Sequence, residues 1–102
     1  MKHYLIPYFI GQQDDWWGGI NFYNHSSNET AVNIRIQRPN GTTLKSLDYG
    51  IGSFNHCFMG SKDFKIGRCS VFINCSDDVF FSPFMGKGDF FIELKFVELE
   101  KN

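Results

Sequence analysis

The run "AVNIRIQRPNGTTLKSLDY", residues 31–49, constrains the fold more than any other stretch. Val32, Ile34 and Ile36 alternate with Asn33, Arg35 and Gln37. Side chains repeat every two residues in an extended strand, so one side of this segment is apolar and the other wet. A sheet with one buried and one solvated face is typically antiparallel. Pro39, Asn40 and Gly41 then supply turn chemistry: proline sets φ, while asparagine and glycine accept positive φ. Leu44, Leu47 and Tyr49 continue into a partner strand with a change of parity, which a bulge near Lys45 or Ser46 would produce.

The same rhythm fills the rest of the chain. Tyr4–Ile10 reads as a first strand and Ile20–Asn24 as another, closed by the polar turn "NHSSNET". Phe54, His56 and Phe58 share a parity, as do Cys69, Val71 and Ile73. "DVFFSPF" is continuous enough to predict a strand buried on both faces. "GKG", residues 86–88, is a tight turn into a last run, where Phe90, Ile92, Leu94 and Phe96 alternate with Asp89, Phe91, Glu93 and Lys95. Ile92, Phe96 and Leu99 also fit a helix face, but the β-formers before Glu93 and the alternation favour a strand. The expected fold is therefore all-β: a single antiparallel β-sandwich, immunoglobulin-like or jelly-roll-like, of about eight short strands. Its 102 residues, 1–102, suffice for one domain with one core.

Charge narrows the function classes. Ten Lys and Arg stand against 11 Asp and Glu, with no basic run. The electrostatic footprint of a nucleic-acid binder is missing. No apolar run approaches the ~20 residues of a membrane-spanning helix. The start "MKHYLIPYFIG" is interrupted by Pro7 and lacks a small-residue cleavage site, so it reads as a strand and not a signal peptide. The expected setting is the cytoplasm or an assembled virion. Cys57, Cys69 and Cys75 do not make a closed disulfide set. On one strand Cys69 and Cys75 would lie roughly 20 Å apart, whereas a bridge needs Cα atoms within about 7 Å. Thiols are expected in place of bridges. The four N-x-S/T sequons, at Asn24, Asn28, Asn40 and Asn74, follow from an Asn-rich chain.

Catalytic chemistry finds little support. His3, His25 and His56 lack a diagnostic partner motif. His25 falls in a polar turn, and His56 reads as a half-buried strand residue. Asp14–Asp15 and Asp77–Asp78 are adjacent pairs in turn-like segments, better suited to solvation than to acid–base work. Neither C-x-x-C nor H-x-x-x-H spacing occurs. Neighbours His56 and Cys57 would point to opposite faces of a strand. "GIG" and "GKG" lack the spacing and the following helix of a phosphate loop. No enzyme activity, cofactor, metal or catalytic residue is expected.

The stretch "DDWWGGINFYN", Asp14–Asn24, holds the candidate binding residues Asp14, Asp15, Trp16, Trp17, Asn21 and Tyr23. On a strand Trp16 and Trp17 face opposite ways, so one would enter the core and the other stand outside. Three uses compete for the outer ring: packing under a loop, burial at a subunit contact, or a flat platform for a sugar with Asp14, Asp15 or Asn21 accepting hydroxyl bonds. Gly18 and Gly19 suit all three, because they allow close backbone approach. Aromatics make up 18% of the chain, including 12 Phe, more ring surface than a minimal core needs. The excess points to interfaces.

The unit "WWGGINFYNHSSNETAVNIRIQRPNGTTL" resembles the Anabaena sensory rhodopsin transducer-like proteins, small β-sandwiches of bacteria and phages. Trp17, Gly19, Ile20, Asn24, Val32, Ile34, Ile36 and Gly41 carry the likeness, which covers the first half of the chain. It implies a soluble homo-oligomeric sandwich that binds a partner or small ligand without catalysis, and it assigns no binding residue. The Phe-rich second half departs from the pattern. The expected function is a non-catalytic structural, assembly or interaction protein, partnered by itself and by another structural protein, as in a phage particle. The alternative is a carbohydrate or small-ligand binding module built on Trp16–Trp17.

Overall fold

The computed structural model describes residues 1–60 and 66–100. They form ten strands: β1 (Lys2–Ile10), β2 (Gln12–Gln13), β3 (Trp16–Asn24), β4 (Thr30–Gln37), β5 (Thr43–Ile51), β6 (His56–Met59), β7 (Arg68–Cys75), β8 (Val79–Lys87), β9 (Phe90–Glu93) and β10 (Val97–Leu99). A first antiparallel sheet has the order β10-β1-β7-β4-β5. A second has the order β2-β3-β8-β9, with β6 also paired to β3. The two pack as a β-sandwich, as the alternation predicts. Ile6 and Phe9 of β1, Val32, Ile34 and Ile36 of β4, and Val71 and Ile73 of β7 meet Ile20 and Phe22 of β3 in one buried core.

Two bulges adjust the parity. On β1, Ile6 faces Val71 while Phe9 faces Cys69, so three steps oppose two. Pro7 sits in that irregularity, where its missing N–H costs no ladder bond. The extra residue turns both Ile6 and Phe9 inward. On β5, Ile36 faces Lys45 and Gln37 faces Thr43, which leaves Leu44 as the extra residue. The shift lies one position before the Lys45–Ser46 step that parity suggested.

Three expectations need correction. Ten strands replace about eight, because short pieces at Gln12–Gln13 and Val97–Leu99 pair separately. "DVFFSPF" is buried on one face only: Val79, Pro83 and Met85 are inside, and Phe80 and Ser82 are exposed. The final run is strand, not helix, but it divides. After Leu94 N–H donates to the Pro83 carbonyl (2.9 Å), the chain leaves β8 and crosses to β1 in the other sheet. Phe96 marks the crossing, its ring 4.4 Å from Phe81 and 5.7 Å from Tyr4.

Asn24 is the buried polar residue at the end of β3. Its Nδ2 donates to the carbonyls of Asn28 (2.8 Å), Ile51 (3.0 Å) and Gly52 (3.1 Å), and its Oδ1 accepts from Ser26 Oγ (2.8 Å). One amide thus ties the β3–β4 turn to the end of β5. On the outer face of the first sheet the register aligns His3, Asn74, Asn33 and Asp48 across four strands. His3 Nδ1 bonds Asn74 Oδ1, Asn74 Nδ2 donates to Asn33 Oδ1 (3.1 Å), and Asn33 Nδ2 donates to Asp48 Oδ1 (2.9 Å). Cys69 and Cys75 lie near the two ends of β7, both buried.

Candidate functional site

Alternation along β3 turns Ile20, Phe22 and Asn24 into the sandwich and Trp17, Gly19, Asn21 and Tyr23 away from it. The strands beside β3 extend this outer face. Pairing sets Trp17 against Gly86, Gly19 against Phe84, Asn21 against Ser82 and Tyr23 against Phe80. On the far side Phe58 faces Asn21 and His56 faces Tyr23. Beyond β8, Phe91 faces Gly86 and Glu93 faces Phe84. The outside of the second sheet is therefore an aromatic surface drawn from four strands.

Glycines let the rings lie down. A Cβ at Gly86 would come 2.5 Å from Trp17 Cζ2, so the indole covers that glycine. A Cβ at Gly19 would come 2.9 Å from both the Phe58 and Phe84 rings. Phe58 and Phe84 stack above it with centroids 6.0 Å apart and planes 18° apart. Trp17 meets Phe84 edge-on at 5.8 Å, and Phe91 adds a tilted contact with Trp17 at 6.4 Å. At the other end Tyr23 packs on His56 at 4.7 Å and on His25 at 5.7 Å, with Tyr23 Oη and His25 Nδ1 3.3 Å apart.

Two shallow grooves run over this surface. One of about 390 Å³ is lined by Trp17, Asn21, Ser82, Phe84, Phe91 and Glu93. The other, about 230 Å³, adds Tyr23, His56 and Phe80 and shares Asn21 and Ser82 with the first. The Asn21 and Ser82 side chains make no hydrogen bond among the described residues. They form a small polar centre between aromatic walls. A separate concavity of about 430 Å³, between the end of the first sheet and β2, is lined by Tyr8, Ile10, Gln13, Pro39 and Arg68.

The candidate residues divide. Trp17, Asn21 and Tyr23 share the outer face and line the grooves. Trp16 points to the other side of β3, but it too is only half-buried. Neither Trp enters the core cluster, which corrects the expectation that one of them would. The strand simply begins before the core does. Asp14 and Asp15 are exposed in the two-residue turn closed by Gln13 and Trp16, and they line neither groove. Asp14 has φ of 55°, as primed hairpin turns require. His56 is exposed, not half-buried, because it stands on the uncovered face. Phe58, Phe80, Ser82, Phe84 and Phe91 were missed as site residues. Their outward parity is readable within each strand, but which strands flank β3 is not.

Burial pushes the Cys69 thiol up to about 11. Burial, with the Asp77 carboxylate adding to it, pushes Cys75 to about 11 as well. Both are poor nucleophiles in the folded chain. Among the described residues no three His, Cys, Asp or Glu side chains converge as a metal site needs. No helix of the described residues is long and apolar enough to cross a membrane. No family model, curated protein or solved structure matches this chain.

Proposed function

We propose that this chain is a non-catalytic assembly protein whose working form is a homo-oligomer, with the second sheet as its contact layer. One observation carries the reading: Phe58, Phe80 and Phe91 are 58%, 60% and 62% exposed on the same outer face as the half-buried Trp17. Contact centres are enriched in aromatic side chains, and contiguous apolar patches mark interaction sites. Two nine-residue strands flanked by two four-residue strands cover roughly 400 Å² in projection at sheet spacings. That is about half of the ~800 Å² that each partner of a stable contact buries, before side-chain relief is counted. A second copy fits as occupant, because an isologous contact sets the same aromatic patch on both sides. The likeness to transducer-like sandwiches implies the same oligomeric state, and a phage particle is the proposed setting.

Native mass by size exclusion with light scattering tests this. A defined oligomer is expected, with Phe58→Ser and Phe80→Ser together lowering the mass while leaving thermal stability nearly unchanged. A strict monomer at high concentration would overturn it. A second reading, a carbohydrate or small-ligand module, draws on the unbonded Asn21 and Ser82 between aromatic walls. It is weaker, because the Trp17 ring already covers Gly86 and meets Phe84. Calorimetric titration against a sugar panel tests it; heat that disappears in Trp17→Ala would establish this use instead.

A further inference from the structure

The strand β9 is anomalous. Its sequence is Phe-Phe-Ile-Glu, yet all four residues are exposed. It forms the end of the second sheet, paired to β8 on one side and to no strand on the other among the described residues. Phe90 and Ile92, on the side opposite Phe91, are 57% and 41% exposed. A hydrophobic edge strand left open on both faces is a template for pairing with another chain.

The hydrogen-bond parity of that edge is defined. Lys87 and Phe90 close the two-residue turn at Gly88–Asp89, and Ile92 faces Met85. Leu94 N–H then donates to the Pro83 carbonyl. Antiparallel ladders bond alternate residues, so Phe90, Ile92 and Leu94 turn their N–H and C=O toward β8. Phe91 and Glu93 turn theirs outward. The edges of the first sheet are less open. β5 is bulged at Leu44 and carries Lys45 and Asp48, and β10 has three residues. Charges, bulges and shortness are the usual means of blocking an edge.

We infer that β9 joins two copies of this chain edge to edge, antiparallel, with Ile92 facing Ile92 of the second copy across a two-fold axis. In this register Phe91 and Glu93 exchange their outward backbone bonds with Glu93 and Phe91 of the second copy. Phe90 comes opposite Leu94 of the second copy on the side where both are apolar. Lys95, just past β9, comes near Asp89 in the turn of the second copy, a complementary pair flanking each end of the contact. Centring the axis on Phe91 would instead set Glu93 opposite Asp89 of the second copy, two like charges. Charge thus selects the Ile92 register. The second sheets of the two copies run on as one, and their aromatic outer faces become a single surface.

This inference rests on the reading that the chain assembles with itself, and the test separates the two. Glu93→Pro removes an outward N–H and leaves the β8 ladder intact, since proline is tolerated on edges; Glu93→Ala, which removes the same groove-lining side chain but keeps the N–H, is the control and should leave the mass unchanged. The native mass of Glu93→Pro should fall at least two-fold below wild type, at unchanged circular dichroism. Ile92→Cys, in a Cys57→Ser background, should form an intermolecular disulfide under mild oxidation. Non-hydrogen-bonded partners lie about 4.5 Å apart at Cα, inside the disulfide range. Glu93→Cys should not cross-link, since its copy is displaced along the strand. An oligomeric wild type whose mass is unmoved by Glu93→Pro, or no Ile92→Cys disulfide, would overturn the edge contact and leave the assembly reading standing. A monomeric wild type would overturn both.

Discussion

Replacing Asn24 with alanine should cost about 3 kcal/mol of folding stability. The Ile51 carbonyl that it bonds at 3.0 Å is buried, and leaving such an acceptor without a donor costs about 1–3 kcal/mol. The Asn28 and Gly52 carbonyls are only partly buried and can turn to water, so each adds about 0.5 kcal/mol. Ser26 Oγ keeps its bond to the Asn28 carbonyl (2.8 Å), so losing Oδ1 adds little. The total is a large part of the ~5–15 kcal/mol that holds a domain together. Urea unfolding followed by circular dichroism measures it. With a slope of about 1.5 kcal/mol/M, the midpoint should fall by ~2 M at unchanged slope. Asn24→Asp sharpens the test. At neutral pH it sets a carboxylate against three carbonyl oxygens and should unfold more easily than alanine. In acid the protonated group can donate one bond, and part of the loss should return. A midpoint shift below ~0.5 M for alanine would show that these carbonyls keep other partners, and the account of Asn24 as a tie between loops would fail.

Adjacent glycines should respond differently to alanine. A Cβ at Gly18 would lie 2.1 Å from the Ile10 carbonyl oxygen, which is backbone and cannot step aside, so Gly18→Ala should cost about 3 kcal/mol. At Gly19 the obstacles are ring edges at 2.9 Å that can rotate outward, and about 1 kcal/mol is expected; thermal unfolding ranks the two. The thiols of Cys69 and Cys75 hold their protons more tightly folded than unfolded, at about 11 against the usual 9.0. Stability should therefore fall as pH rises from 9 toward 11, and the Cys69→Ala, Cys75→Ala pair should flatten that fall in urea titrations at pH 8 and pH 10.5. Phe96→Ala removes the ring between Tyr4 and Phe81; because Phe96 is 39% exposed, a loss of about 2 kcal/mol is expected by calorimetry.

The parity of Val32, Ile34 and Ile36 was enough to read a two-layer sheet protein, because a period of two leaves few ways to bury one face. Parity also put Trp17, Asn21 and Tyr23 on one side of β3. It could not say what flanks them. Phe58 and Phe84 reach Gly19 from strands far along the chain, through pairings that depend on topology and not on local pattern. Trp16 shows a second limit: facing inward does not mean buried where a strand outruns its core. Asn24 was legible and passed over. It continues the inward parity of Ile20 and Phe22, and a polar residue on an apolar stripe next to a turn signals a buried tie. The division of the last run was illegible, since Phe90–Phe96 alternates without a break while the chain changes sheets.

The two outer faces of the sandwich obey the same alternation and differ in chemistry. On the first sheet polar side chains bond one another across the strands: His3, Asn74, Asn33 and Asp48 form a row, with His3 Nε2 buried and unpaired among the described residues, and Arg35 lies 4.6 Å over the Phe72 ring. On the second sheet Phe58, Phe80 and Phe91 remain largely exposed, with the exposed Asn21 and Ser82 between them. Folding does not explain these rings, since they add little to the buried core and polar residues would serve a solvated strand better. β9 repeats the pattern at the sheet's margin, where a lysine or a proline would close the edge. Both departures from solvated design fall on one layer and adjoin each other through Phe91. A single contact system would cover them together, and this is the physical ground for proposing that the second sheet is a contact layer.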